Sequence, residues 1–257
     1  MTAPLAVMAY SVLEPALCDL EGTLARVADL GFLGVETYGI VEHYGPARVR
    51  DALAGAGLAL TSAHTPFPAG AEADRLLDEA EALGAQTLVW SMEREEFDDV
   101  ASIARGVERV NIAAENAAAR GMRIAYHNHF AEFAHTVDGV QAYDVLLDLL
   151  DPRVVVELDA YWTVMGGAEP ADVLRRLGAR AEFVHIKDGP AVSYEDDVMV
   201  PIGEGRIDWP GVLTAGASLR WHIVELERLE GDVFDALRTS RDHLVNAGLS
   251  TAREETR

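Results

Sequence analysis

Histidines and carboxylates recur in this sequence at the ends of short apolar runs. The segments AYHNHF, VELDAYW, FVHIKD and IVELE each end in side chains that can bind a metal ion or move a proton, and they follow one another along the chain. Mixed imidazole and carboxylate donors suit a single Mn²⁺, Zn²⁺, Co²⁺ or Fe²⁺ ion, and they suit Mg²⁺ less well. The pattern therefore predicts one divalent metal ion per chain. The predicted ligands are His127, Asp159, His185 and Glu225.

The first ligand remains open between two histidines. His127 and His129 are separated by one residue, so they would share one face of a strand, and either of them could bind the ion. Any one of these polar residues alone is also explained as a hydrogen-bonded core residue or a helix cap. Four such residues in register are not explained in this way, because charges buried without a partner would cost several kcal/mol each.

Eight apolar runs must position these residues, and longer amphipathic stretches such as Ala71–Leu83 and Asp98–Arg120 separate the runs. The predicted strands are Leu5–Tyr10, Gly34–Tyr38, Ala59–Ala63, Thr87–Trp90, Arg123–His127, Val154–Asp159, Glu182–Ile186 and His222–Leu226. Eight strands that alternate with helices in 257 residues predict an α/β protein with a single (β/α)₈ TIM barrel. A doubly wound sheet is the alternative, but it would need a Gly-rich phosphate loop after the first strand, where this chain has SVLEPAL.

The domain organisation follows from the absence of an internal linker. No Pro/Gly/Ser-rich stretch, low-complexity segment or charge block divides the chain. We therefore expect one barrel domain over residues 1–249. The final segment, STAREETR at 250–257, is expected to be a flexible tail.

Composition and charge exclude several classes of protein. Hydrophobic residues make up 49% of the chain, enough for a large core, and 21 Lys+Arg oppose 43 Asp+Glu for a net charge of −22. Such an excess of negative charge opposes binding to nucleic acids and to anionic membranes. Cys18 is the only cysteine, which excludes an internal disulfide and Cys-based metal sites. Without a signal peptide or a bilayer-spanning run, the chain is expected to be cytoplasmic. A homo-oligomer remains open.

The chain resembles the xylose isomerase-like superfamily of TIM barrels, which includes sugar and sugar-phosphate isomerases and epimerases, inosose dehydratases and endonuclease IV. The motifs that carry the resemblance are GFLGVETYG (31–39), AYHNHFAEF (125–133), VELDAYWTVMGGAEP (156–170), RAEFVHIKDG (180–189), PIGEGRIDW (201–209) and IVELE (223–227). The resemblance implies a metal ion held by one residue from each of strands 5 to 8, usually Glu, Asp, His and Glu. Asp159, His185 and Glu225 match this set, whereas His127 stands where the strand-5 glutamate usually stands.

The resemblance also implies a reaction. Members of the superfamily abstract a proton next to a carbonyl and form a metal-stabilised enediolate. The resemblance therefore predicts isomerisation or epimerisation of a sugar or keto-polyol. Because epimerases of this family pair the strand-5 and strand-8 glutamates as acid and base, His127 weakens a two-carboxylate mechanism. An inosose dehydratase-like elimination therefore stays open, as does a barrel that binds a metal and a sugar without catalysis. The negative charge disfavours the endonuclease interpretation.

Further polar residues at the strand ends have candidate roles in such a site. Glu225 and Glu157 are the candidate acid/base groups, and Glu157 alternatively orients His185 or Lys187. Lys187 is a candidate to polarise a substrate oxygen or to pair with Glu157. The candidate substrate-binding residues are Glu36, His64, His129, Trp162 and Arg206. Arg206 is the candidate phosphate contact, although the scarcity of other basic residues at strand ends favours an unphosphorylated substrate.

Overall fold

Eight parallel strands close into a barrel in the computed structural model, which describes residues 2–194 and 196–253. The strands are β1 Leu5–Met8, β2 Gly34–Thr37, β3 Ala59–His64, β4 Thr87–Trp90, β5 Arg123–His127, β6 Val155–Asp159, β7 Ala181–Ile186 and β8 Trp221–Val224. Parallel pairing of β1 with β8, in which Leu5 lies opposite His222, closes the cylinder. The predicted (β/α)₈ barrel is confirmed.

Helices surround the barrel and connect its strands. They are α1 Leu13–Cys18, α2 Leu20–Asp29, α3 Ile40–Tyr44, α4 Pro46–Ala56, α5 Ala73–Leu83, α6 Val100–Ala119, α7 Ala131–Ala134, α8 Ala142–Leu149, α9 Ala160–Met165, α10 Pro170–Leu177, α11 Trp209–Ala215 and α12 Val233–Asn246. A short antiparallel hairpin of Thr136–Val137 and Val140–Gln141 lies between β5 and β6. Within the described part of the chain, no helix combines the length and the hydropathy needed to cross a membrane.

Aspartates begin several of these helices. Asp19 accepts a hydrogen bond from Gly22 N (3.0 Å) at the start of α2, and Asp99 accepts one from Ser102 N (2.7 Å) at the start of α6. Such side chains satisfy backbone N–H groups that have no partner inside the helix. Helix α5 lies within the amphipathic stretch Ala71–Leu83, after a 3₁₀ turn at Gly70–Glu72. Its buried residues are Leu76, Leu77, Ala80 and Leu83.

The barrel core has two layers because side chains alternate along each strand. A compact apolar cluster fills the inside of the cylinder, and a much larger one lies between the strands and the helices. The inner cluster consists of Ala6, Met8, Val89, Ala125, Val155, Phe183 and Ile223. Strands that are covered on both faces explain why the sequence shows apolar runs rather than a clean alternation of apolar and polar residues.

Two strands, β1 and β8, end two residues earlier than their sequences predict. β1 stops at Met8 because Ala9–Val12 forms a 3₁₀ turn, and β8 stops at Val224. The backbone N–H of Leu226 donates to Ser11 Oγ (2.8 Å) instead of to a neighbouring strand. Glu225 therefore lies just beyond its strand, in the loop at the mouth of the barrel.

The start of the predicted tail lies against the amino-terminal end of the barrel. Thr251 N donates to Ala3 O (2.9 Å), and Arg253 N donates to Gly31 O (2.8 Å). Residues 254–257 of the predicted tail lie outside the described residues. The boundary at residue 249 remains a prediction.

Candidate active site

The four predicted metal ligands lie at the carboxyl-terminal mouth of the barrel. His127, Asp159 and His185 are the last or nearly last residues of β5, β6 and β7, and Glu225 follows β8 directly. All four are at most 5% exposed. His185 Nδ1 lies 2.8 Å from Glu225 Oε2, and His127 Nε2 lies 3.9 Å from Asp159 Oδ2. The ends of parallel barrel strands meet at one mouth, which brings these side chains together.

Among the residues that the structure describes, three overlapping groups of side chains could hold a metal ion, since within each group the donor atoms lie within 4.8 Å of one another. The groups are Asp159, His185 and Glu225; His127, Glu157 and His185; and Glu36, His64 and Glu157. The first contains three of the four predicted ligands. The fourth, His127, belongs to the neighbouring group through His185.

Glu157 contacts both predicted histidine ligands, His127 and His185, through one carboxylate oxygen. Its Oε1 atom is 3.0 Å from His185 Nε2 and 3.0 Å from His127 Nδ1. In the tautomers that donate both of these N–H groups to Glu157, the other ring nitrogens face Asp159 and Glu225. Metal-binding histidines usually donate their second N–H to a carboxylate or a carbonyl in this way. These contacts would allow Glu157 to orient His185, whereas the predicted roles of Glu157, as an acid/base group or as a residue that orients His185 or Lys187, remain predictions.

Lys187 lies among carboxylates at the centre of the mouth and is 1% exposed. Its Nζ atom is 2.9 Å from Asp159 Oδ2 and 2.7 Å from Glu225 Oε2, and it also pairs with Glu227. It does not make the predicted pair with Glu157, because Glu157 lies at the Nε2 side of the His185 ring while Glu225 lies at the Nδ1 side.

Burial and close charges shift the pKa values of this cluster in different directions. Burial alone would raise the pKa of Glu225, but Lys187 and His185 outweigh burial and lower that pKa to about 2. Burial raises the pKa of Asp159, and Lys187 offsets this only in part. Burial and the nearby Glu36 raise the pKa of Glu157 well above its usual range. The mouth thus holds more carboxylate than its own cations neutralise.

A carboxylate–histidine pair lies on the other side of the mouth. Glu36 Oε1 is 3.0 Å from His64 Nδ1, and Glu36 Oε2 accepts a hydrogen bond from the Ser62 hydroxyl. Burial would raise the pKa of Glu36, but His185 and His64 outweigh burial and hold that pKa well below its usual range. A histidine whose Nδ1–H donates to a carboxylate keeps Nε2 as a proton acceptor. Both residues are predicted from the sequence to bind substrate; their pairing was not predicted.

Aromatic and imidazole rings form one wall of the mouth. The His129 ring lies 5.1 Å from the His127 ring and 6.5 Å from the ring of Trp162, and Lys187 Nζ lies 5.2 Å from the Trp162 ring. Burial, together with Lys187, lowers the pKa of His129 to about 3, so this imidazole is neutral at pH 7. Among residues 2–194 and 196–253, neither ring nitrogen of His129 has a hydrogen-bond partner.

Two residues that the sequence reasoning missed hold the strand-5 segment in place. Asn128 accepts from Asp159 N (3.0 Å) and donates to Asp159 O (3.2 Å), which ties the ends of β5 and β6 together. Glu132 accepts from Tyr126 Oη (2.9 Å) and from His129 N (3.1 Å), and burial raises its pKa to about 8. The available signal was the polar YHNHFAEF motif itself, where both residues follow the end of a strand.

The structure does not bring Arg206 to this cluster. Arg206 is exposed in the loop after β7, and its side chain contacts none of the cluster residues in the described chain. The buried Asp188 shapes that loop, because its carboxylate accepts from Gly203 N (2.9 Å) and from Trp209 Nε1 (3.1 Å). The position of Arg206 favours neither a phosphate contact nor any other direct contact within the mouth.

The residues at the mouth fit a divalent metal ion. Glu157 Oε2 and Asp159 Oδ2 are buried oxygens that accept no hydrogen bond within the described residues, although Asp159 Oδ2 lies close to the Lys187 ammonium. Buried oxygens without hydrogen bonds are costly unless a cation satisfies them. Imidazole nitrogens and carboxylate oxygens together are the donor set of a transition-metal ion rather than of Ca²⁺.

Known proteins resemble this chain at two levels. A family model described as the xylose isomerase-like TIM barrel matches residues 24–243. An inosose dehydratase of Geobacillus kaustophilus is 35% identical over 69 residues, which are 26% of this chain and 21% of the relative. An inosose dehydratase of Clostridium tetani is 30% identical over 124 residues, which are 48% of this chain and 37% of the relative. The match thus spans well under half the length of these relatives.

Solved structures share the whole fold. A sugar phosphate isomerase/epimerase from Parabacteroides distasonis has a TM-score of 0.81 and 22% identity, covering 96% of this chain and 99% of that chain. The probable 3-DHS dehydratase of petrobactin synthesis from Bacillus anthracis has a TM-score of 0.73 and 15% identity, covering 95% and 99%. At these identities the likeness concerns the fold alone.

Proposed function

This chain belongs to the xylose isomerase-like TIM barrel family, and we propose that it is a metal-dependent enzyme that removes water from a keto-polyol or keto-sugar after abstracting a proton next to the carbonyl. One observation carries the proposal: in the described part of the chain, the mouth offers a base on one side of a bound substrate and no matching carboxylate base on the other side. His127 stands where the family usually has a strand-5 glutamate, and Glu225 contacts Lys187 and His185. Within residues 2–194 and 196–253, His64 is then the one mouth histidine that has a carboxylate partner and is not a proposed metal ligand.

His127, Asp159, His185 and Glu225 would hold the metal ion, which remains a proposal for this chain. A divalent ion there would act as a Lewis acid that polarises the substrate carbonyl and acidifies the neighbouring C–H bond. Glu157 would keep both histidines in the tautomers that leave one nitrogen for the ion. Asn128 would keep the end of β5 in register with Asp159.

His64 is the proposed base. Its Nδ1–H donates to Glu36, so Nε2 accepts the proton from the substrate carbon, and the ionised Glu36 stabilises the imidazolium that forms. The bond from the neighbouring carbon to its hydroxyl then breaks, a C=C bond forms, and the imidazolium returns the proton to the departing hydroxide as water. One base thus serves both steps, and no co-reactant is needed.

Two mouth residues would bind the substrate rather than react with it. His129 is neutral and has a nitrogen free for a substrate hydroxyl, and Trp162 forms an apolar wall beside it. The predicted acid/base role of Glu225 remains a hypothesis, and its surroundings favour a ligand, because a carboxylate with a pKa of about 2 is a weak base.

Isomerisation or epimerisation is the second candidate, and His129 favours it. The same His64 could return its proton to the adjacent carbon, which isomerises the substrate. A second base on the other side of the substrate, such as the unpartnered imidazole of His129, would allow epimerisation. The family contains all three reaction types, so the products decide among them.

The test is a proton-exchange and product assay in D₂O. We expect the Mn²⁺-loaded protein to exchange the α-proton of an inosose or of a ketohexose in a panel, and to release the dehydrated product of at least one of them. His64→Ala should lower exchange by roughly 10²-fold or more while metal content is kept. His43→Ala, which removes an exposed histidine, is the control and should not change the rate.

Each other outcome has a distinct meaning. Exchange with a rearranged sugar instead of a dehydrated one would replace elimination by isomerisation or epimerisation. Sugar binding without any exchange would identify a binding barrel that does not catalyse. Exchange that survives in His64→Ala at the wild-type rate would reject His64 as the base.

A further inference from the structure

The 21 basic residues of this chain comprise 20 arginines and one lysine, and that lysine is Lys187. Lysine is ordinarily a surface residue, but here the one lysine is 1% exposed and lies at the centre of the mouth. Arginines supply every other cationic side chain. Lysine differs from arginine in carrying a compact ammonium on a flexible stem instead of a planar guanidinium.

The ammonium contacts oxygen atoms of two predicted metal ligands, Asp159 and Glu225. Asp159 Oδ2 lies 2.9 Å from Lys187 Nζ and faces His127 Nε2 at 3.9 Å. Glu225 Oε2 lies 2.7 Å from Lys187 Nζ and 2.8 Å from His185 Nδ1. Lys187 therefore lies among the predicted ligands and contacts two of them directly.

A divalent ion bound by Asp159 and Glu225 would weaken these ammonium contacts. Two cations on the same buried carboxylates repel each other strongly, because little water lies between them to screen the charges. Lys187 has a second partner, however. It also pairs with Glu227, whose side chain is 23% exposed and thus lies nearer to solvent than Asp159.

We propose that Lys187 is an internal cation that occupies the metal position of the metal-free protein, and that the incoming ion displaces its ammonium toward Glu227. This inference rests on the proposed metal site. It assigns Lys187 a role in metal exchange. In the metal-free barrel the ammonium keeps the buried carboxylates paired. Because the ion must displace the ammonium, the protein binds the ion less tightly. An ammonium held by three carboxylates is also a poor nucleophile, which separates this role from imine formation with a keto-sugar.

Lys187→Met tests the displacement because it keeps the length of the side chain and removes the charge. We expect the variant to bind Zn²⁺ or Mn²⁺ at least about 10-fold more tightly than the wild type in calorimetric titrations, since no cation must move. Without metal its Tm should be lower by about 10 °C, because two buried carboxylates lose their partner. Saturating metal should restore most of that difference.

Arg123→Met is the matched control. It removes a cation from a partly buried carboxylate, Glu182, at the opposite end of the barrel. We expect this variant to lose some stability both with and without metal, and to bind the ion with wild-type affinity. The two variants therefore separate metal displacement from the general loss of a buried ion pair.

A direct readout is available because the chain has one lysine. Protein labelled with ¹⁵N-lysine should give a single side-chain ammonium signal, which we expect to shift when one equivalent of Zn²⁺ is added and to return when the ion is chelated. Weaker metal binding by Lys187→Met would overturn the inference, because Lys187 would then support the ligands. Stoichiometric binding that leaves the lysine signal unchanged would also overturn it while sparing the proposed metal site. If neither protein binds metal, both proposals are wrong.

Discussion

The two ends of the barrel both hold a carboxylate among basic side chains, but they balance charge differently. At the amino-terminal end, Glu182 pairs with Arg123 (2.8 Å) and Arg220 (3.1 Å), and its side chain is 16% exposed. These two guanidinium groups outweigh the effect of burial and lower the pKa of Glu182. At the mouth, the ammonium of Lys187 pairs with three carboxylates, those of Asp159, Glu225 and Glu227. Two more buried carboxylates, Glu36 and Glu157, pair with imidazole rings instead.

The difference shows where a cation is needed. A carboxylate that two arginines satisfy is a structural ion pair, and solvent screens what remains. Buried carboxylates that outnumber their cations destabilise the fold unless a further cation binds or protons are taken up. The same residue types thus stabilise one end of the barrel and form a candidate metal site at the other.

Two buried histidines, one at each end of the barrel, show the same difference. His222 lies at the start of β8, where its Nδ1 bonds Ser250 Oγ (2.8 Å) and burial lowers its pKa to about 4. Burial would also lower the pKa of His185, but Glu157, Glu36 and Glu225 outweigh it and raise that pKa well above its usual range. A histidine in a barrel strand is therefore not by itself evidence of a functional site. Its position at the carboxyl-terminal end of the strand is what indicates such a site.

The largest expected effect is at the mouth. Asp159→Ala removes a carboxylate that faces His127 and Lys187, and we expect the purified variant to contain no stoichiometric metal and to lose activity by roughly 10³-fold or more. Elemental analysis and the exchange assay measure the two quantities. Full metal occupancy in this variant would refute the assignment of the ligands.

Glu225→Gln separates a ligand from a base. Glutamine keeps the size of the side chain and weak coordination, but it cannot accept a proton. If Glu225 is the base, exchange should fall by at least roughly 10²-fold with metal still bound. If Glu225 is only a ligand, as its contacts with Lys187 and His185 suggest, loss of activity should follow loss of metal and recover at high metal concentration.

At the amino-terminal end we expect a pH effect on stability without a catalytic effect. The pKa of His222 is about 4 in the folded chain and about 6.5 when unfolded, so the unfolded chain binds the proton more readily. His222 should therefore cost stability as the pH falls from about 6.5 to about 4, by on the order of 2 to 3 kcal/mol. Urea unfolding of His222→Gln across this range should show a shallower decline than the wild type. Parallel curves would contradict the assignment.

Glu182→Gln should have the smallest effect. Glutamine has one acceptor oxygen, so it keeps the hydrogen bond from Arg123 or from Arg220 but not both, and it removes one partly exposed charge. We therefore expect a loss of about 1 to 2 kcal/mol in the free energy of unfolding. Metal content and proton exchange should equal those of the wild type. A substantial loss of exchange would show that the two ends of the barrel are coupled.

Local patterns in the sequence were sufficient to predict the barrel and the residues at its mouth. Apolar runs placed each of the eight strands to within about two residues, because burial on both faces and helix periodicity are properties of short segments. Alternation likewise placed Asp159, His185 and Glu225 near the ends of their strands. The family resemblance rests on these segments in order, and the match over residues 24–243 confirms it.

Only the tertiary structure decided which of these side chains meet. Glu36 and His185 are 149 residues apart in sequence and 3.2 Å apart at the mouth, and no local pattern relates β2 to β7. The structure also places His127 within its strand, against Glu157, and His129 beyond it, and it pairs Lys187 with Glu225 instead of Glu157. The physical reason is that alternation selects a face of one strand, whereas the closure of eight strands into a cylinder fixes the distances across it.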